Sequence, residues 1–125
     1  MINLQNGSVI KLLQGDPAYG TKMVESLLIQ NEKVINVYTI EVGTVVFTNM
    51  RIIAVNLQGL SGKKRDFSSL PYCKIQVFSV ETARAFDLDC ELELWFSDLG
   101  KVKFKFSGNM DIRAIVQTIS YFTMK

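Results

Sequence analysis

From Val34 onward, apolar residues recur in short, strand-like runs punctuated by turn residues, and this rhythm limits the chain to very few architectures. The runs span about 34–42, 44–48, 51–57, 63–70, 74–80, 88–97 and 101–107, with breaks at Gly43, Thr48-Asn49, Gly59 and Gly62. Seven strands of this length exceed one flat sheet and predict a strongly bent sheet or a partly closed barrel. With 125 residues and 48% hydrophobic content, the chain fits a single compact domain. Such a domain buries roughly two thirds of its unfolded surface.

The last two strands carry the clearest register signal. Leu88, Cys90, Leu92, Leu94 and Phe96 alternate with Asp87, Asp89, Glu91, Glu93 and Trp95, while Val102, Phe104 and Phe106 alternate with Lys101, Lys103 and Lys105. One dry face requires even positions opposite even positions. A three-residue loop, Asp98-Leu99-Gly100, satisfies that parity and predicts Glu93 opposite Lys105 and Trp95 opposite Lys103.

Helical spacing appears only at the two ends. Tyr19, Met23, Val24, Leu27 and Leu28 share one helical face after the turn cluster Gly15-Asp16-Pro17, so residues 1–31 read as a helical leader packed on a domain formed by 32–125. Ile112, Ile115, Val116, Ile119 and Phe122 form an apolar stripe suited to plugging an open end of the β structure, with Asn109 as the expected N-cap.

Several function classes find no support in the residues. Without histidine, and with neither cysteine in an evidently activating setting, the chain lacks a neutral-pH base, and no enzymatic activity or cofactor is expected. The series Asp87, Asp89, Glu91 and Glu93 reads as charge pairing with the facing lysines, because an extended strand spreads carboxylates that a metal needs converged; no metal site is expected. A net charge of +2 does not advertise nucleic acid. Cys73 and Cys90, among apolar neighbours and without CxxC spacing, read as reduced packed thiols, with a disulfide as the alternative. The opening MINLQNGSVIKLLQG is far short of a membrane span of about twenty residues, so no stable membrane insertion and a cytoplasmic location are expected.

A family resemblance rests on ordered short segments: Asn31-Glu32-Lys33 before the first of these strands, Val46-Phe47-Thr48-Asn49 with Arg51, Gln58-Gly59-Leu60-Ser61-Gly62-Lys63-Lys64, Leu70-Pro71-Tyr72, Phe78-Ser79-Val80-Glu81-Thr82 and Phe86-Asp87-Leu88-Asp89. In this order and spacing the chain, from about Leu27 to Phe122, resembles the bacterial pleckstrin-homology domain family. The resemblance implies a mainly β, PH-like fold: a bent antiparallel split barrel capped by a C-terminal helix. It also implies ring-like homo-oligomers and no enzymatic role. Lipid-binding relatives draw basic residues from the first hairpin, and here Glu41-Val42-Gly43-Thr44 contains none.

The expected function is therefore a non-enzymatic interaction module that self-associates. The early strands are apolar on both faces, so one face needs a cover, and Val37, Tyr38, Val45, Phe47, Ile53 and Val55 are the candidate self-association residues. The leader helix is the competing cover. The alternative function is binding of an anionic lipid headgroup or other polyanion at Lys63, Lys64 and Arg65, against a charged strand edge as the bland reading. Phe67, Leu70, Pro71 and Tyr72 form either a ledge for another protein or peptide, or the bend between two halves of the sheet.

Overall fold

The computed structural model describes residues 9–58, 64–82, 90–107 and 112–124. Its strands form a single eight-stranded sheet: β1 (Val9–Gln14), β2 (Val34–Ile40), β3 (Gly43–Thr48), β4 (Arg51–Gln58), β5 (Lys64–Pro71), β6 (Ile75–Glu81), β7 (Cys90–Phe96) and β8 (Gly100–Phe106). Helix α1 (Pro17–Val24) follows β1, and α2 (Arg113–Thr123) closes the described chain. The strand order is β5-β4-β3-β2-β1-β8-β7-β6, so strands adjacent in sequence, β5 and β6, lie at opposite ends of the sheet. Only the 3-10 turn Tyr72–Lys74 joins them. Phe67, Leu70, Pro71 and Tyr72 thus belong to that bend and the strand entering it, with Leu70 and Tyr72 buried.

Seven strands match the sequence pattern; the eighth, β1, does not appear in it. Ile10 and Leu12 enter the barrel core while Val9, Lys11 and Leu13 face outward, so the segment alternates with period two for only five residues. It lies parallel to β8, pairing Val9 with Lys103 and Leu12 with Phe106, and antiparallel to β2 through Leu13–Thr39 and Gln14–Tyr38. The N-terminal segment therefore supplies the strand that joins the two halves of the sheet, in addition to a helix.

The β7–β8 hairpin obeys the expected parity but sits two residues away from the expected register. Glu93 pairs with Lys103, Trp95 with Lys101 and Phe96 with Gly100, leaving Ser97-Asp98-Leu99 as the loop. Gly100, at φ 90°, takes the left-handed conformation inside the first pair of β8 rather than in the loop.

Two apolar cores flank the first half of the sheet. The barrel core gathers Leu12, Tyr38, Phe47, Tyr72, Leu92, Phe104 and Phe106, with aromatic edge-to-face contacts such as Tyr38–Phe47 at 5.6 Å, and α2 plugs it with Ile115 and Ile119. Ile112 stands at the N-cap of α2 and is buried; Asn109 lies outside the described residues. The second core lies on the outer face, where α1 lays Met23 and Val24 over Val37, Val46, Ile53 and Val55. Asp16 caps α1 by accepting from the Ala18 N–H at 3.1 Å, with Pro17 in its first turn. Gly20 lets the helix approach closely: a Cβ there would collide with both methyl groups of Val37.

Candidate interaction surface

All six residues expected to mediate self-association are interior. Tyr38, Val45 and Phe47 are in the barrel core, and Val37, Ile53 and Val55 lie beneath α1. None is more than 1% exposed. Both faces of the early strands are apolar, as the sequence indicates, but the outer face is covered by the chain's own helix α1, which buries Val37, Ile53 and Val55.

Three of the segments that carried the resemblance, Asn31-Glu32-Lys33, Val46-Phe47-Thr48-Asn49 with Arg51, and Leu70-Pro71-Tyr72, meet in one polar network around the buried Glu32. The Glu32 carboxylate accepts from Arg51 Nε and Nη2, from the Thr48 hydroxyl at 2.7 Å and from the Ile29 N–H at 3.1 Å. Arg51 also donates Nη2 to the Leu27 carbonyl and Nη1 to Ser69 Oγ. The Thr48 hydroxyl oxygen in turn accepts from the N–H groups of Met50 and Arg51, shaping the β3–β4 turn. Asn49 accepts from the Lys33 N–H and donates to the Asn31 carbonyl, and Tyr72 donates to the Thr48 carbonyl at 2.7 Å. Burial pushes the Glu32 carboxyl upward, but the bonds from Arg51, Thr48 and Ile29 and the Arg51 charge outweigh it and hold it below the usual carboxylate value. Burial, then the Glu32 charge, pushes the Tyr72 phenol far above its usual value, so it remains a donor. Every member is engaged, so this network clamps the 25–33 segment onto the sheet and holds no free group for chemistry.

The charged outer face of the second half is likewise self-satisfied in part. Lys103 Nζ lies 3.0 Å from Glu93 and 3.9 Å from Glu91, and Lys101 sits over the Trp95 ring at 5.9 Å. The Glu93 hydrogen bond, then its charge, raises the Lys103 pKa. Asp87 and Asp89 lie outside the described residues, and among the described residues no carboxylate, cysteine or histidine cluster could hold a metal. Cys90 is buried, whereas Cys73 is exposed rather than packed, and neither is in a disulfide.

Among the described residues, the two ends of the sheet, β5 and β6, have no further strand beside them. β5 begins with exposed Lys64 and Arg65; Lys63 lies outside the described residues. Its outward residues Arg65, Phe67 and Ser69 stand opposite Leu57, Val55 and Ile53 of β4, and Phe67 is exposed. At the other end, β6 turns Val77, Ser79 and Glu81 outward opposite Trp95, Glu93 and Glu91, while Phe78 and Val80 pack on the barrel core. Val77 is 58% exposed, unusual for a valine inside a strand. Where the edges leave their shared bend, an open cavity of about 600 Å³ lies between Leu70, Cys73, Lys74, Phe96 and Leu99. Sequence reasoning missed β6 as an edge because edge status depends on strand order, which no local pattern carries. No described helix is long and apolar enough to cross a membrane.

Comparisons with known proteins agree with this architecture. Residues 3–123 match the family model described as "Bacterial PH domain". The "Uncharacterized protein YjqA" of Bacillus subtilis is 40% identical over 100 residues, covering 78% of this chain and 80% of the relative. Over 74 residues, 58% of this chain and 63% of the relative, the "Uncharacterized protein YozO" of the same organism is 39% identical. Among solved structures, a DUF1696 family protein with a pleckstrin-homology domain from Shewanella loihica is similar at TM-score 0.71 and 32% identity, covering 90% of this chain and 97% of that one. A pleckstrin homology domain from Shewanella amazonensis is similar at TM-score 0.60 and 32% identity, covering 90% and 92%. The match runs through the clamp, the bent sheet and the capping helix alike, and the chain belongs to the bacterial PH domain family.

Proposed function

We infer that this protein is a non-enzymatic interaction module that assembles with copies of itself through the free edges of its bent sheet. The observation that carries this reading is the open strand order, which ends in β5 on one side and β6 on the other, each with an exposed apolar residue, Phe67 or Val77, on the same outer face. A strand edge offers unpaired backbone donors and acceptors, and another strand is the partner that satisfies a row of them. Native edges are commonly blunted by charge or proline; β5 has Lys64, Arg65 and Pro71, but β6 runs uncharged from Ile75 to Val80. Because the two edges differ in sequence, contact of one with the other is head-to-tail, the arrangement that generates rings when the rotation closes.

The test is size-exclusion with light scattering on Val77→Lys and Phe67→Lys, two exposed positions where lysine leaves the fold intact. Loss of assembly with an unchanged thermal melt supports the reading. Assembly unaffected by either substitution contradicts it.

A further inference from the structure

We propose that the outer face of β1, with β8 beside it, is a docking strip for an acidic segment of a partner protein, seated on Lys11 and Lys105 and held at either end by Val9 and Leu13. The proposal concerns the middle of the sheet and is independent of its edges. β1 runs parallel to β8 with Lys11 directly beside Lys105, while the residues flanking them, Ile10 and Leu12 on β1 and Phe104 and Phe106 on β8, enter the barrel core. The two lysines therefore share the outer face, on neighbouring strands about 4.8 Å apart. Like charges side by side in a sheet destabilise it locally.

The carboxylates around this pair do not close on it. Glu93 lies 3.0 Å from Lys103, in the next row, and Glu91 lies 3.9 Å from the same ammonium. Glu91 stands opposite Lys105 in β7, yet the two form no ion pair. Glu41 follows the end of β2, beyond the β1–β2 pair Leu13–Thr39, and forms none with Lys11. On the same face of β1, Val9 is 43% and Leu13 58% exposed, so apolar, basic and apolar side chains follow one another at alternate residues. Helix α1 lies over Val37, Val46, Ile53 and Val55 and leaves Val9, Lys11 and Leu13 to solvent.

This pattern selects the chemistry of the partner. Val9 and Leu13 lie about 13 Å apart along an extended strand, with the ammonium pair between them. A segment that carries carboxylates between apolar side chains meets both demands: charge-assisted bonds to the two lysines, and burial of two apolar side chains that otherwise face water. A broad polyanion, such as an anionic bilayer or a nucleic-acid duplex, fits worse. Glu93, Glu91 and Glu81 continue the same rows across β7 and β6, and a flat anionic surface would meet all three. A narrow segment lying along β1 avoids them.

The experiment is fluorescence anisotropy of a short labelled peptide repeating Ser-Leu-Glu-Glu-Leu-Gly, titrated with the full native chain and with Lys11→Glu, Lys105→Gln, Leu13→Ser and Lys64→Glu. A thermal melt and a solution mass accompany each chain. None of these sites belongs to either apolar core, so the variants keep the native melt. The native chain is expected to bind the peptide, more weakly as salt rises, and Lys11→Glu or Lys105→Gln to weaken binding on the order of ten-fold. Leu13→Ser is expected to give a smaller loss, and Lys64→Glu, on the β5 edge, none. The proposal is overturned if the native chain ignores the peptide at low salt, binds it equally with Gln in place of Glu, or binds it unchanged after Lys11→Glu. Binding to phosphatidylglycerol vesicles in place of the peptide overturns it as well. The solution masses report self-association separately, so failure of the strip and failure of edge assembly are read apart.

Discussion

Arg51 grips Glu32 with two nitrogens, Nε to Oε2 at 2.9 Å and Nη2 to Oε1 at 3.0 Å, and the carboxylate side chain it holds has no solvent exposure. This pair ties the segment after α1 to the β3–β4 turn, nineteen positions further along the chain. Removing one partner leaves a buried charge unpaired. Arg51→Leu is expected to cost about 3–5 kcal/mol, and Arg51→Lys to recover only part of that, because an ammonium cannot make the two-nitrogen contact. Urea melts of the three chains measure it.

The same pair gives stability a pH signature. The Glu32 carboxyl is held below its ordinary value of 4.5, so its contribution is fully present above that value and lost as pH falls through the lower, folded value. Acid titration of the native chain is expected to show this loss below about pH 4.5, and Glu32→Gln to remove that component while lowering stability at neutral pH. A Glu32→Gln chain with the native acid profile would show that other carboxylates govern it.

The helix α1 is the lid of the second core. Ile53→Ala is expected to cost about 2–5 kcal/mol, and Val37→Asp, which places a charge under the helix, about 4 kcal/mol or more. Gly20→Ala improves helix propensity yet forces the helix off Val37, for a net loss of about 1–3 kcal/mol. Amide exchange localises the effect: Gly20→Ala accelerates exchange in α1 and leaves the β6–β8 strands protected.

Strand β1 is load shared by both halves of the sheet, and Leu12 sits in the barrel core with no exposure. Leu12→Ala is expected to lose about 2–5 kcal/mol, comparable to Leu92→Ala in β7. Lys11→Ala, at an exposed position on the same strand, changes the melt by less than about 0.5 kcal/mol.

These elements mark what was legible in the sequence. The seven strands from Val34 onward and the α2 stripe were readable because each is a run of its own period or apolar content bounded by turn residues, and the hairpin parity followed from Glu93, Trp95 and the lysines alone. β1 was not, since Ile10 and Leu12 supply only two inward residues and Leu13 breaks the alternation. The two-residue offset at Gly100 also escaped, because parity fixes which face a residue takes but not how far a hairpin slides. For the candidate site, an apolar stretch such as Val45-Val46-Phe47 states only that both faces need cover. Whether a helix of the same chain or a second copy supplies it depends on tertiary placement, and the helix does. Lys64 and Arg65 were visible as charges, but that they begin an edge strand of the sheet required the strand order.

The measurement that tests the central claim most directly is the solution mass of the native protein by light scattering across concentration. Assembly through the sheet edges predicts a defined multiple of 14.1 kDa at micromolar concentration, falling toward the monomer only on dilution. A mass of 14.1 kDa throughout that range would contradict it.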